Sequence, residues 1–80
     1  MGIEDAVKQR ICDLCAERNI TINALSVQAG MPRSTLKNIM QGTSKNTGIV
    51  TLQLICDALG ITIIDFFTDD LFRNIDQVKD

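Results

Sequence analysis

Two kinds of side chain in this 80-residue chain have types and spacings that suggest chemistry. The first is the thiol. Cys12 and Cys15 form a C-x-x-C pair and Cys56 stands apart, in a chain without histidine. Such a pair suggests zinc ligation or dithiol redox chemistry. Zinc takes four ligands in a structural site, and only Cys56 is left to join the pair. A thioredoxin-like pair belongs at a strand-to-helix junction, whereas the sequence around Cys12 reads as helix on both sides. The thiols are therefore read as reduced cysteines packed as small apolar residues, with no metal and no cofactor expected. The carboxylates offer no acid–base pair either. Asp69 and Asp70 are adjacent, so on a helix they point about 100° apart. There is no glycine-rich phosphate loop, and no enzyme is expected.

The second kind is cationic and hydrogen-bonding. The stretch NALSVQAGMPRSTLKNIMQG, residues 23–42, contains Arg33, Lys37, Asn38 and Gln41 but no Asp or Glu, although the chain's net charge is −2. From Arg18 to Cys56 there are four cations (Arg18, Arg33, Lys37, Lys45) and no acid, while residues 1–17 carry −2 and residues 57–80 carry −4. A basic middle between acidic ends directs a negatively charged partner to the middle.

The elements that must position these residues follow from apolar spacing. Ile3, Val7, Ile11, Leu14 and Cys15 fall on one stripe at helical period, which predicts a helix over 3–18 that Asn19 ends. Thr21 is placed to cap a second helix over 22–29, which Gly30 stops. A third helix is expected from Pro32 to Gly42. Thr35, Leu36, Ile39 and Met40 lie on its inner face, with Ser34, Lys37, Asn38 and Gln41 opposite and Arg33 flanking. The fourth spans 49–59, with Leu52, Ile55, Cys56 and Leu59 inward, and Gly60 ends it. Thr62 with Asp65 three residues on resembles a capping box for a fifth. Phe66 and Phe67 close the core. The result is an all-α fold, a compact bundle of five short helices. Residues 1–68 form the domain, and residues 69–80 form a tail with a further helical turn or two.

Totals agree with one small domain. Apolar residues are 45% and charged residues 22%, as in soluble globular chains. No apolar run approaches the roughly 20 residues that span a bilayer. The N-terminal segment lacks an apolar signal region, and Ala6 stands where a myristoylation signal wants Ser or Thr. A cytoplasmic location is expected.

A short helix, a glycine turn and a second short helix with a polar outer face make a helix-turn-helix. The segment ITINALSVQAGMPRSTLKNIMQG resembles the DNA-binding core of the lambda-repressor/Cro-type (Xre) family. Thr21, Leu25, Ser26, Gly30, Ser34, Thr35, Leu36, Ile39 and Gly42 carry the likeness. TLQLICDALGITIIDFF is similar to that family's fourth and fifth helices, so the resemblance runs from about Val7 to Phe67. It implies a transcriptional regulator, a repressor, that binds double-stranded DNA as a homodimer with helix 3 in the major groove. Three positions depart from the pattern. Ile22 replaces a Gln that supports a backbone contact. Pro32 replaces a capping Ser. Met40 replaces a Glu that in other members pairs with an arginine at the position of Arg10, which must here find another partner.

On that reading Arg33, Ser34, Lys37 and Asn38 are the candidates for base contacts. Arg33 can donate to guanine O6 and N7 or to phosphate, and Asn38 can pair with adenine N6 and N7. Thr21, Asn23, Gln41, Thr43, Ser44, Lys45 and Asn46 are the candidates for backbone contacts, with the first-turn N–H groups of helix 2. Ile64, Leu71, Phe72 and Ile75 exceed what a five-helix core needs and are candidates for a dimer surface. The alternative is that they wrap onto their own core. A different class of function, an antitoxin or adaptor module that binds protein, uses the same fold and would use the same apolar tail.

Overall fold

The apolar stripe of residues 3–18 forms α1 (Ile3–Arg18), which buries Val7, Ile11, Leu14 and Cys15 along one face. Asn19 takes a left-handed backbone (φ 58°), and the N–H of Ile20 then reaches the Cys15 carbonyl at 3.0 Å. That hydrogen bond closes the helix end and turns the chain back. In this computed structural model, which describes residues 1–42 and 46–78, the remaining elements are α2 (Ile22–Gln28), α3 (Arg33–Met40), α4 (Ile49–Leu59), α5 (Ile63–Phe67) and a single 3-10 turn (Asp70–Phe72). No strand occurs among the described residues.

Two helices are shorter than their sequence suggests. Residue 29, expected inside α2, is its C-cap. Pro32 lies outside α3 as an extended N-cap (ψ 145°), and the helix stops at Met40 before Gly42 turns left-handed at φ 74°. A helix start at Pro32 fails because that ψ leaves the proline carbonyl at the helix mouth, where it accepts from Thr35 N–H at 3.1 Å. The capping box of α5 is present. Thr62 Oγ1 accepts from Asp65 N–H at 3.0 Å, and Asp65 Oδ2 accepts from Thr62 N–H at 3.4 Å.

One core joins all five helices. Leu25 of α2, Leu36 and Ile39 of α3, Leu52, Ile55, Cys56 and Leu59 of α4 and Phe66 of α5 pack on the stripe of α1. Burying a Leu, Ile or Phe contributes about 1.5–3 kcal/mol, so this cluster is what holds such short helices in place.

The two arginines of α1 fasten the C-terminal ends of the last two helices. Arg10 Nε donates to the Phe66 carbonyl (2.8 Å) and Nη2 to the Asp65 carbonyl (2.9 Å), while Nη1 pairs with Asp69 (3.2 Å). Arg18 Nε donates to the Leu59 carbonyl at the end of α4 (3.2 Å). Carbonyls at a helix C-terminus carry the negative end of the helix dipole and attract a cation, which is why a guanidinium settles there. Beyond α5, Phe72 folds back so that its ring lies 4.8 Å from Phe67 and 6.0 Å from Phe66, centroid to centroid. Leu71 and Ile75 are half-buried, and Ile64 is 77% exposed.

Candidate nucleic-acid interface

The turn between α2 and α3 is fixed at both ends. Thr21 Oγ1 accepts from Ala24 N–H at 3.0 Å and starts α2. Gly30 adopts φ 67°, a conformation a side chain disfavours, and Met31 N–H then bonds the Ser26 carbonyl at 3.1 Å. Leu25 and Leu36 are both fully buried and pin the two helices to the core, and Ser26 fits beside them with its hydroxyl donating to the Ile22 carbonyl (3.2 Å).

This setting presents one face of α3 outward. Leu36 and Ile39 are buried and Thr35 and Met40 half-buried, whereas Arg33, Ser34, Lys37, Asn38 and Gln41 are exposed. The exposed ridge stands between two clefts. An open cleft of about 520 Å³ on the α2 side is lined by Ile22, Asn23, Arg33, Lys37, Met40 and Gln41. A smaller cleft of about 240 Å³ lies toward the start of α4, where Asn38 and Thr35 meet Asn46, Thr47 and Thr51. Candidate residues from separate segments are thereby brought together: Asn23, Arg33, Lys37 and Gln41 around the first cleft, Asn38 and Asn46 around the second. Ser34 lies on the ridge between them. Thr21 is exposed at the head of α2, with its oxygen already accepting and its hydroxyl hydrogen still able to donate. Thr43, Ser44 and Lys45, named from sequence as backbone contacts, lie outside the described residues.

Arg18 was counted with the basic middle, but it caps α4 and lies 3.7 Å from Glu17, so it is engaged away from the α3 ridge. Among the described residues, Arg33 and Lys37 remain. Neither takes part in any ion pair found among the described residues. Two uncompensated cations beside amide side chains make a surface suited to an anionic ligand with polar edges.

The thiols lie behind this surface. Cys15 and Cys56 are buried, and burial is the main cause that pushes both thiols above their ordinary pKa. Cys12 adds to the effect on Cys15 and Asp57 to that on Cys56, while Arg18 and Arg10 respectively oppose it. Cys12 is half-buried, with Sγ 3.6 Å from Met40 Sδ across the α1–α3 junction. Sequence reasoning missed this contact. The replacement of a glutamate by Met40 was its available signal.

An all-helical domain whose second and third helices meet at a glycine turn, with a polar and cationic outer face on the third, is a helix-turn-helix domain. The chain belongs to the Cro/C1-type helix-turn-helix DNA-binding domain family, whose model matches residues 10–70. It is also similar to the crystal structure of prophage Lp1 protein 11, at 30% identity and a TM-score of 0.82, covering 94% of this chain and 100% of that one. No functionally curated protein gives a significant match. Among the described residues no helix is long and apolar enough to cross a membrane.

Proposed function

We propose that the protein is a sequence-specific transcriptional regulator, a repressor, that binds double-stranded DNA as a homodimer and places α3 in the major groove. The observation that carries this reading is the ridge of α3. Arg33, Ser34, Lys37, Asn38 and Gln41 stand exposed on one face, and its two cations have no acidic partner among the described residues. The groove admits one helix, and the ridge carries the donor and acceptor types that read base edges. Arg33, Ser34 and Asn38 are assigned to bases and Lys37 to a base or phosphate. Asn23, Gln41 and Asn46 flank the ridge and are assigned to the backbone, with Thr21 at the head of α2. Thr43, Ser44 and Lys45 follow α3 directly and take the same role.

Repression is the simplest mode for so small a domain, since occupying an operator is enough to block polymerase. Two-fold symmetry would set two copies of α3 about one helical turn apart on the duplex. Of the candidate dimer residues, Ile64 is the most available. Phe72 already packs on Phe66 and Phe67 of its own chain.

Fluorescence anisotropy against a labelled duplex from upstream of the gene, with a scrambled control, tests the reading. With Arg33, Lys37 and Lys45 all at phosphate in both subunits, the log–log salt slope would be about −5. Base contacts by Arg33 or Lys37 would make it shallower. A preference of about a thousandfold or more for one sequence supports an operator-reading regulator. Absence of binding to either duplex, and to any duplex selected from a random pool, would refute it.

A further inference from the structure

We propose that Cys12, Cys15 and Met40 form a binding site for a soft monovalent cation of the Cu(I) type. The thiol of Cys12 on α1 and the thioether of Met40 on α3 meet at 3.6 Å, so two soft donors from different helices already converge on one point. Cys15 follows three residues after Cys12 on the same helix, a spacing that makes the two side chains neighbours. Metal–sulfur bonds of about 2.3 Å place three sulfurs around a trigonal ion about 4 Å apart, close to the spacing that Cys12 and Met40 already have. A shift of a few tenths of an ångström in two flexible side chains would complete that edge.

The donor set also selects the ion. Thiolate and thioether ligands favour Cu(I), whereas zinc prefers four ligands drawn from thiolate, imidazole and carboxylate. The chain has no histidine, and the described residues hold no cluster of three His, Cys, Asp or Glu groups fit for a metal ion. The third donor at this site is a thioether, which suits a Cu(I) ion and few others. A path to it exists. Cys12 and Met40 are both half-buried, and Met40 forms part of the wall of the cleft between α2 and α3. Binding replaces a proton on each thiol that ligates.

Reduced protein is titrated with Cu(I) without oxygen, in competition with a chromogenic Cu(I) chelator. One ion per chain is expected, and Cys56→Ala should bind as the parent does. Cys12→Ser should abolish binding at this site. Met40→Leu keeps the apolar volume but removes the sulfur, and should weaken binding at least about tenfold while circular dichroism remains that of the parent. X-ray absorption of the loaded protein should show sulfur neighbours only. Parent-like affinity in Cys12→Ser or in Met40→Leu, a stoichiometry that falls with Cys56→Ala, or nitrogen and oxygen neighbours at the metal would each overturn the site.

Discussion

Replacing Arg10 by Ala tests how α5 and the tail are held to α1. The guanidinium makes three contacts, to the carbonyls of Phe66 (2.8 Å) and Asp65 (2.9 Å) and to the Asp69 carboxylate (3.2 Å). Its side chain is only 13% exposed, so water does little to replace these bonds, whereas Asp69 at 32% is partly screened already. Hydrogen bonds involving a charged group contribute about 1.5–3 kcal/mol each, and bonds made by one side chain are not additive. A loss of about 3 kcal/mol is expected once the exposed part of the ion pair is discounted. A domain of this length has a total stability of about 4–12 kcal/mol, so the variant loses a large share. Its thermal midpoint should fall by about 12–24 °C. Urea unfolding followed by far-ultraviolet circular dichroism reads the change in a chain that has no Trp or Tyr. Arg10→Lys should recover only a minor part, because an ammonium cannot serve three acceptors in a planar fork. A loss under about 1 kcal/mol for Arg10→Ala, the scale of an exposed ion pair, would refute the reasoning.

Other perturbations separate the remaining layers of the structure. Thr62→Ala removes the capping-box acceptor of Asp65 N–H and should cost about 1 kcal/mol, read by the same urea titration. Lys37→Ala should weaken binding to specific and scrambled DNA alike and flatten the salt slope by about one unit per subunit if Lys37 lies at phosphate. Asn38→Ala should weaken only specific binding, by about 1–3 kcal/mol. The buried thiols predict a loss of stability in alkali. Cys15 and Cys56 hold their protons in the fold above the free-thiol value of 9.0, so their contribution is intact below that pH and declines as pH rises through the elevated folded values. Urea midpoints should hold below about pH 9 and drop as pH rises above it, and less so in Cys56→Ala; an equal drop in both proteins would contradict the assignment.

The helices were legible in the sequence where local rules act alone. The stripe Ile3, Val7, Ile11, Leu14, Cys15 and the left-handed Asn19 define α1, and Gly60 with φ 71° marks the end of α4. The ends of α3 were less legible, because Pro32 is compatible with both a first helical turn and an extended cap, and its observed ψ chooses the second. Helical period put Ser34, Lys37, Asn38 and Gln41 on one face, with Arg33 flanking it. It gave no sign that Asn23 of α2 would share a cleft with Arg33 and Lys37, since that depends on how two helices cross. The roles of Arg10 and Arg18 were hidden for a similar reason. Their acceptors lie more than forty residues away in sequence, at helix ends whose orphan carbonyls exist only once the chain has folded. A count of charges therefore included Arg18 in the basic middle, although folding turns it to α4.

The central claim is that the α3 ridge and the head of α2 receive the duplex. The most direct measurement is a titration of isotopically labelled protein with a selected DNA duplex, followed through backbone amide chemical shifts. The account predicts the largest changes at Thr21, Asn23, Arg33, Ser34, Lys37, Asn38 and Asn46, with little change at the acidic start of α1, at Glu4 and Asp5. Shifts concentrated on α1 or on the tail around Asp69 and Asp70, with the α3 ridge unmoved, would contradict it.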